Sequence, residues 1–402
     1  MATLVAKPLT VPAAKAARRA LSICHFTTAH SQIKSRSFHR QFLPLASDGI
    51  SVRYLSPAVT PDARGGVNFL TLPQPVGRVR RALLLPSLLK ALLYQHADVY
   101  HFQDPELFPA AFILKVFFRK RIIYDAYEDF ASAVANKESI PRFFRPLAAR
   151  AFAAVENAAA RCFDGVITAD PLTLRRFAQK GKSRKLVFYN FPNLDFFPAN
   201  VSGPKPFDLV YRGGISERTG IEVLLQALRL LVEPSFVPPR PSPVRLLLIG
   251  YFDCSRAERE FHEHVCSLGL DSRVEIRGRI AHEEMARALS QAHIGICPLL
   301  AIPKFLRNIP VKVFEYWACA MPVIATDLAP IRPFLRDGRT GLLVPPGDAA
   351  ALARAIGRLL DHPEEASRMG QQGRELVVRR LNNADEARKL RRFCSQVAGF
   401  DD

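Results

Sequence analysis

The chain has 402 residues, 49% hydrophobic and 23% charged, which excludes a disordered polymer and a single small core and calls for about two globular domains. Its net charge of +19 is lopsided: residues 1–200 hold 28 Lys and Arg against 13 Asp and Glu, whereas residues 201–402 hold 28 against 24. A positive field on one half suits phosphorylated ligands, an anionic membrane face or nucleic acid.

Residues 1–19 are Ala-rich and basic, contain no acid, and lack a continuous apolar stretch. They read as a disordered basic extension rather than a secretory signal. Strand candidates follow at "ALSICHF" (20–26), "ISVRYL" (50–55), "DVYHF" (98–102), "RIIYD" (121–125), "DGVITA" (164–169) and "KLVFY" (185–189). They are short and largely apolar, as strands covered on both faces must be. Helical patterns separate most of them, at 36–47, 105–118, 142–161 and 171–180. This is repeated strand–helix–strand logic, and so a parallel sheet between two helical layers.

"NFPNLDFFPANVSGPKP" (190–206) is rich in Pro, Asn and Gly and has no period. It reads as an interdomain linker. The alternation then restarts with strands at "DLVYR" (208–212), "VRLLLIG" (244–250), "VEIRG" (274–278), "IGICP" (294–298), "PVIAT" (322–326) and "GLLVP" (341–345). Helices fall near 219–232, 256–268, 282–291 and 311–320, and the tail from 348 to 397 is helical and polar. The chain therefore divides into an extension (1–19), a first domain (20–190), a linker (191–206), a second domain (207–380) and a C-terminal helix (381–402) that can cross back to the first domain. The fold class is α/β: two Rossmann-like, doubly wound parallel-sheet domains facing an interdomain cleft. Such sheets bind ligands outside the carboxyl ends of their strands.

No apolar run reaches the roughly 18 residues that a membrane-spanning helix needs. The seven cysteines are odd in number and none has metal-site spacing, so they read as reduced core thiols.

Two stretches carry chemistry at the predicted cleft. "YRGGISERTG" (211–220) ends the first strand of the second domain. Gly213 and Gly214 permit a tight turn, the following helix offers N–H groups to an anion, and Arg212 and Arg218 add forked donors for phosphate. In "IPVKVFEYWACAMPVIATD" (309–327), Lys312 and Glu315 are three apart, on one helical face. A buried carboxylate must be paired or bound to hydroxyls. Glu315 can accept from ribose, and Lys312 can neutralise a phosphate. The plainer reading is a surface ion pair worth tenths of a kcal/mol.

At these residues the chain resembles the family-4 retaining glycosyltransferases of GT-B fold. "PVKVFEYWACAMPVIATD" (310–327) resembles their Pro-x-Lys-x-x-Glu block. "HSQIKSRSFHRQFLPLASDGISV" (30–52), "DVYHFQDPELFPAAFILK" (98–115), "KRIIYDAYED" (120–129), "FYNFP" (188–192), "YRGGISERTGIEVLLQAL" (211–228) and "DGRTGLLVPPGDAAALARAIGRLL" (337–360) resemble other family segments in the same order. The resemblance covers residues 20–395, and the subgroup it is most similar to is that of bacterial enzymes building capsule, exopolysaccharide or lipopolysaccharide repeats.

The resemblance implies a nucleotide-sugar donor on the second domain. Glu315 is expected to hold ribose, Arg212, Gly213, Gly214 and Arg218 the diphosphate, Asn308 and Lys312 the region near the donor, and the backbone at Gly278 and Arg279 the base. It implies a glycan or polyprenyl-diphosphate-linked acceptor on the first domain, with His101, Asp104 and Glu128 facing it. No resident metal or other cofactor is expected. The enzyme is expected in the cytoplasm, peripherally on the anionic inner face of the plasma membrane, and no specific nucleic-acid partner is expected. Four positions depart from the family pattern: Arg307 stands where a glutamate precedes Glu315 by eight residues, Thr219 replaces a lysine, and Gln103 and Tyr127 replace histidines. These departures raise an alternative, a catalytically degenerate GT-B partner or scaffold.

Overall fold

The computed structural model describes residues 20–28, 37–57, 64–72, 85–135, 137, 140–177, 181–198, 201, 203–233, 236 and 243–400. The basic extension 1–19 and part of the segment 30–52 lie outside the described residues. The first sheet is parallel, with strand order β3-β2-β1-β4-β5-β6-β7. Its strands are β1 (Ser22–Phe26), β2 (Ser51–Pro57), β3 (Val67–Leu72), β4 (Val99–Phe102), β5 (Arg121–Ala126), β6 (Gly165–Thr168) and β7 (Arg184–Val187). The second sheet, also parallel, has order β10-β9-β8-β11-β12-β13. It is built from β8 (Phe207–Gly214), β9 (Leu246–Tyr251), β10 (Val274–Arg277), β11 (Ala292–Cys297), β12 (Val323–Thr326) and β13 (Leu342–Val344).

Strand periodicity sends alternate side chains to opposite faces, and both faces are covered. In the first domain Cys24, Phe26, Tyr100, Phe102, Ile122 and Tyr124 form one core layer, under helices α2 (Leu85–Leu93) and α3 (Phe108–Val116). Their neighbours Ile23, Val99 and Ile123 point the other way. There they meet Phe38 and Phe42 of the π-helical turn Phe38–Phe42, which runs into α1 (Leu43–Ser47). The same face is closed by Leu390, Phe393, Cys394 and Val397 of the last helix, Asn383–Ala398. That helix leaves the second domain after Arg379 and lies on the first. It is tied to the linker entry, where Asn383 N–H donates to Pro192 C=O (2.9 Å) and buried Glu386 accepts from Tyr189 N–H (2.8 Å).

β3 was not anticipated as a strand. It is an edge strand of mixed exposure, and only its ends, Val67 and Leu72, are buried. The short helices α4 (Phe130–Ala135) and α6 (Pro171–Arg176) and the 18-residue helix α5 (Arg145–Cys162) follow β5 and precede β7. In the second domain the helix Ile221–Leu230 (α7) follows β8, and Val311–Ala318 links β11 to β12. No described helix is long and apolar enough to cross a membrane.

Candidate functional site

A cavity of about 640 Å³ lies between the carboxyl ends of the two sheets. Gln103 follows β4, Tyr127 and Glu128 follow β5, Asp170 follows β6, and Tyr189 and Asn190 follow β7, together forming one wall. Tyr251 at the end of β9, with Asn308 and Phe314 after β11, forms the other. Parallel strands all end on the same side, so residues distant in sequence converge there.

The tight turn expected at Gly213 and Gly214 is instead the last two residues of β8, paired with Gly250 and Tyr251 of β9, and the chain turns only after them. Gly213 has φ +142°, and a Cβ there would stand 3.1 Å from Lys312 Nζ. Lys312 lies over the Tyr211 ring, 3.9 Å from its centroid, and makes no ion pair among the described residues. The Tyr211 hydroxyl donates to Gly214 C=O (2.7 Å), which also accepts from Thr219 Oγ1 (3.0 Å). Thr219, which stands in place of a lysine, therefore knots the turn rather than reaching outward. Arg218 sits in the 3₁₀ turn Glu217–Thr219 at the entry to α7. Gly220 between them has φ +76°, and a Cβ there would lie 1.7 Å from Pro298 C=O, so only glycine fits. Arg279 stacks over the cavity-lining Tyr251 (3.8 Å to the ring centroid), beside Gly278. Of the nine residues assigned to the donor side, Asn308 alone lines the cavity. Arg212, Gly213, Gly214, Lys312 and Glu315 are gathered behind it.

Glu315 is carried by the helix Val311–Ala318, which is buried from Val313 onward. Apolar packing and two polar anchors fix that helix. The Tyr316 hydroxyl accepts from Arg212 N–H (2.9 Å), and Trp317 Nε1 donates to Thr340 C=O (2.8 Å). The Glu315 side chain is fully buried. Its Oε1 accepts from Arg40 Nη2 (3.1 Å), and its Oε2 lies 2.9 Å from Arg212 Nη1. Arg40 belongs to the first domain and is itself nearly buried. Its other guanidinium nitrogen donates to Asn190 C=O, and its own C=O accepts from Asn383 Nδ2 (2.6 Å). His282 is nearby. Burial pushes its imidazole down to about 4, against the pull of Glu315 and with the repulsion of Arg40 and Arg212, so it is neutral at pH 7.

The front-domain motifs divide between cavity wall and foundation. His101 and Asp104, assigned to the acceptor side, are buried and do not line the cavity. Asp104 holds the end of β1, accepting from Thr27 Oγ1 (2.5 Å) and Thr28 N–H (3.1 Å). The His101 and His25 imidazoles share a 2.9 Å contact between their Nδ1 atoms. Asp125, fully buried, accepts on Oδ2 from Gln41 (2.8 Å) and from Gln103 (2.9 Å). A carboxylate in that arrangement fixes the Gln103 amide with its nitrogen inward and its oxygen away from Asp125. Glu128 is exposed in the cavity wall, and its carboxylate makes no bond among the described residues. Asp170 also lines the cavity but caps α6 through Thr173 N–H (2.8 Å).

Arg307 reaches across the cleft to Asp129 of the first domain. Burial alone would raise Asp129, but Ser132, Arg176 and Arg307 outweigh it and hold the carboxyl below its ordinary value. Sequence reading missed Arg40 and the Arg307–Asp129 pair. Arg40 is 275 residues from Glu315 and Arg307 is 178 from Asp129, so no local pattern joins them. The nearest sequence signal was Glu315 in an apolar helical pattern, where a carboxylate must be paired or bound to hydroxyls.

Residues 206–362 match the family model of glycosyl transferases group 1. The chain is 31% identical over 181 residues to the phosphatidyl-myo-inositol mannosyltransferase of Mycobacterium leprae, covering 45% of this chain and 44% of that one. It is 28% identical over 156 residues to the amylovoran biosynthesis glycosyltransferase AmsK of Erwinia amylovora, covering 39% and 36%. The matched stretches span less than half the length of these curated relatives. The fold is that of Anabaena HepE, solved in complex with UDP and glucose, with a TM-score of 0.71 at 15% identity over 94% of this chain and 100% of that one. The two-domain arrangement is therefore GT-B.

Proposed function

We propose that this chain, whose second domain is a group 1 glycosyl transferase domain, is a glycosyltransferase of cell-surface polysaccharide synthesis. It moves a sugar, with retention and without a resident metal, from a nucleotide-diphosphate donor to a glycan or polyprenyl-diphosphate-linked acceptor. The observation that carries this reading is the cavity between the strand ends, with an unengaged acid, Glu128, on the first domain's wall and the Gly213–Lys312 cluster behind the other. HepE, of the same fold, was solved with UDP and glucose.

In this reading the donor's diphosphate lies against Gly213 and Gly214, where the backbone permits close approach. Lys312, Arg218 and the head of α7 stabilise the negative charge that grows on the leaving oxygen. The bond from the sugar's anomeric carbon to the diphosphate breaks as the acceptor hydroxyl adds to that carbon. The leaving phosphate takes the hydroxyl proton, so no strong protein base is required. Glu128 and the Gln103 amide oxygen accept from acceptor or sugar hydroxyls. His101, Asp104 and Asp125 hold the wall that presents them.

The acceptor is expected at an anionic lipid surface. The turn Arg142–Phe144 and the start of α5 expose Phe143 (88%), Phe144 (54%) and Leu147 (65%) among Arg142, Arg145 and Arg150. Apolar rings flanked by guanidinium groups suit the headgroup region of such a bilayer. Replacing both phenylalanines by serine should reduce cosedimentation with phosphatidylglycerol vesicles. Unchanged cosedimentation would remove this face from the proposal.

The second reading is a GT-B scaffold without chemistry, favoured by the arginines that satisfy Glu315 internally and by Arg307. Incubation with radiolabelled nucleotide sugars and bacterial membranes separates the two. Label in a lipid-linked or polymeric product supports the enzyme. No transfer, no hydrolysis of any donor and no nucleotide-induced thermal shift would establish the scaffold.

A further inference from the structure

Glu315 has no solvent-exposed side-chain surface. A carboxylate has room for about four hydrogen bonds, so Arg40 and Arg212 do not exhaust its capacity. They exhaust its access. A ribose hydroxyl can reach either oxygen only if one of the covering groups moves. Arg212 belongs to the same domain as Glu315, and its backbone N–H is fixed to Tyr316. Arg40 comes from the opposite domain and is attached to the places where the domains join. Its guanidinium reaches the linker carbonyl of Asn190, and its carbonyl is held by Asn383 at the start of the returning helix.

We propose that Arg40 is a positioning residue that covers Glu315 in the empty protein, so that a nucleotide's ribose displaces the first domain's guanidinium in order to bind. The inference rests on the reading of Glu315 as the ribose acceptor. Arg40 gives the buried carboxylate a partner and keeps it aligned while no donor is present, because an unpaired charge there is prohibitively costly. On donor entry, ribose hydroxyls replace the Arg40 donor to Oε1. Arg40 then loses its hold on Glu315 of the second domain, while its bond to the Asn190 C=O stays within its own side of the cleft. Donor occupancy is thereby felt by Arg40, whose guanidinium also holds the Asn190 C=O at the entry to the linker. Nucleotide affinity is reduced by the fraction of molecules in which Arg40 sits on Glu315, which is how a minor binding-competent state lowers apparent affinity.

The test is calorimetric titration of UDP, GDP, ADP and dTDP into the wild type, Arg40→Met and Arg40→Lys, with thermal unfolding of each. Methionine keeps the unbranched apolar stem and removes the charge. Arg40→Met should bind its nucleotide at least about fivefold more tightly than the wild type, although its folded state is less stable. Arg40→Lys should fall between the two. Tighter binding in a less stable variant is a result that a merely structural arginine does not produce. Binding by Arg40→Met alone supports the proposal most directly. Equal or weaker binding by Arg40→Met, with a wild type that does bind, overturns the inference and leaves the glycosyltransferase reading intact. No binding by any of the proteins overturns the nucleotide reading itself, and this inference with it.

Discussion

Replacing Glu315 by glutamine keeps the volume of a fully buried side chain and removes its charge. The amide can still offer its oxygen to one arginine, but its NH₂ then faces the other, donor against donor. Arg40, 9% exposed, loses the Glu315 charge it faces, whereas Arg212, 29% exposed, can turn toward water. Removing one partner of a buried ion pair costs about 3–5 kcal/mol. The partial exposure of Arg212 and the remaining bond from Arg40 to Asn190 lower the expected loss to about 2–4 kcal/mol. Urea unfolding followed by circular dichroism at pH 7 reads it, with Arg40→Met and the double variant completing a cycle. The double variant should be more stable than the summed single losses predict, by about 1–3 kcal/mol, because neither side of the Glu315–Arg40 pair is then left facing a missing charge. A single-variant loss under about 0.5 kcal/mol, or a cycle additive within the same margin, would show that no buried pair exists in solution.

Glu315→Ala should weaken nucleotide binding by about 1–3 kcal/mol, the value of hydrogen bonds to a charged group, and calorimetry reads it directly. The His282 imidazole titrates near 4 in the folded chain against 6.5 ordinarily. The unfolded chain thus takes up the proton first, and stability falls as pH drops from about 6.5 toward 4, by roughly 3 kcal/mol in total. His282→Phe should remove that part of the slope, and parallel pH profiles of the two proteins would refute the assignment. Gly220→Ala places a Cβ 1.7 Å from Pro298 C=O at a left-handed residue, so a loss of about 3 kcal/mol or more is expected in a melting experiment. Phe393→Ala should cost about 3–5 kcal/mol and raise amide exchange in β6, because the ring packs where a side chain at Gly165 would stand.

The sheets were legible because parallel strands covered on both faces have a compositional signature. "VRLLLIG" and "IGICP" need no tertiary information to be read as strands. β3 was not, since "VNFLTL" is half exposed and its pairing with β2 supplies what its sequence does not. The residues expected on the donor side stand out as sequence motifs, and the structure places Arg212 against Glu315 and Lys312 against Gly213. Their partners do not, because Arg40 and Asp129 come from the other domain and an ion pair carries no periodicity. His101 and Asp104 illustrate a different gap. Polar residues at a strand end resemble ligand contacts in sequence, yet here His101 meets His25 of the neighbouring strand, Asp104 holds Thr27 and Thr28, and Gln103 and Glu128 line the cavity.

The helix Asn383–Ala398 makes the first domain discontinuous: it is assembled from residues before the linker and from residues that follow the whole second domain. During synthesis the face of Ile23, Val99 and Ile123 stays only partly covered, by Phe38 and Phe42, until the helix Asn383–Ala398, about 200 residues beyond the linker entry, has left the ribosome. The second domain has all its strands well before then and can fold first, against the usual N-to-C order. A fragment ending at the linker would expose that apolar face and should aggregate, whereas a fragment of residues 203–381 keeps its own sheet intact. A circular permutant placing the last helix before β1 would restore the customary order, and the rate at which it refolds would measure how much the native connectivity delays assembly.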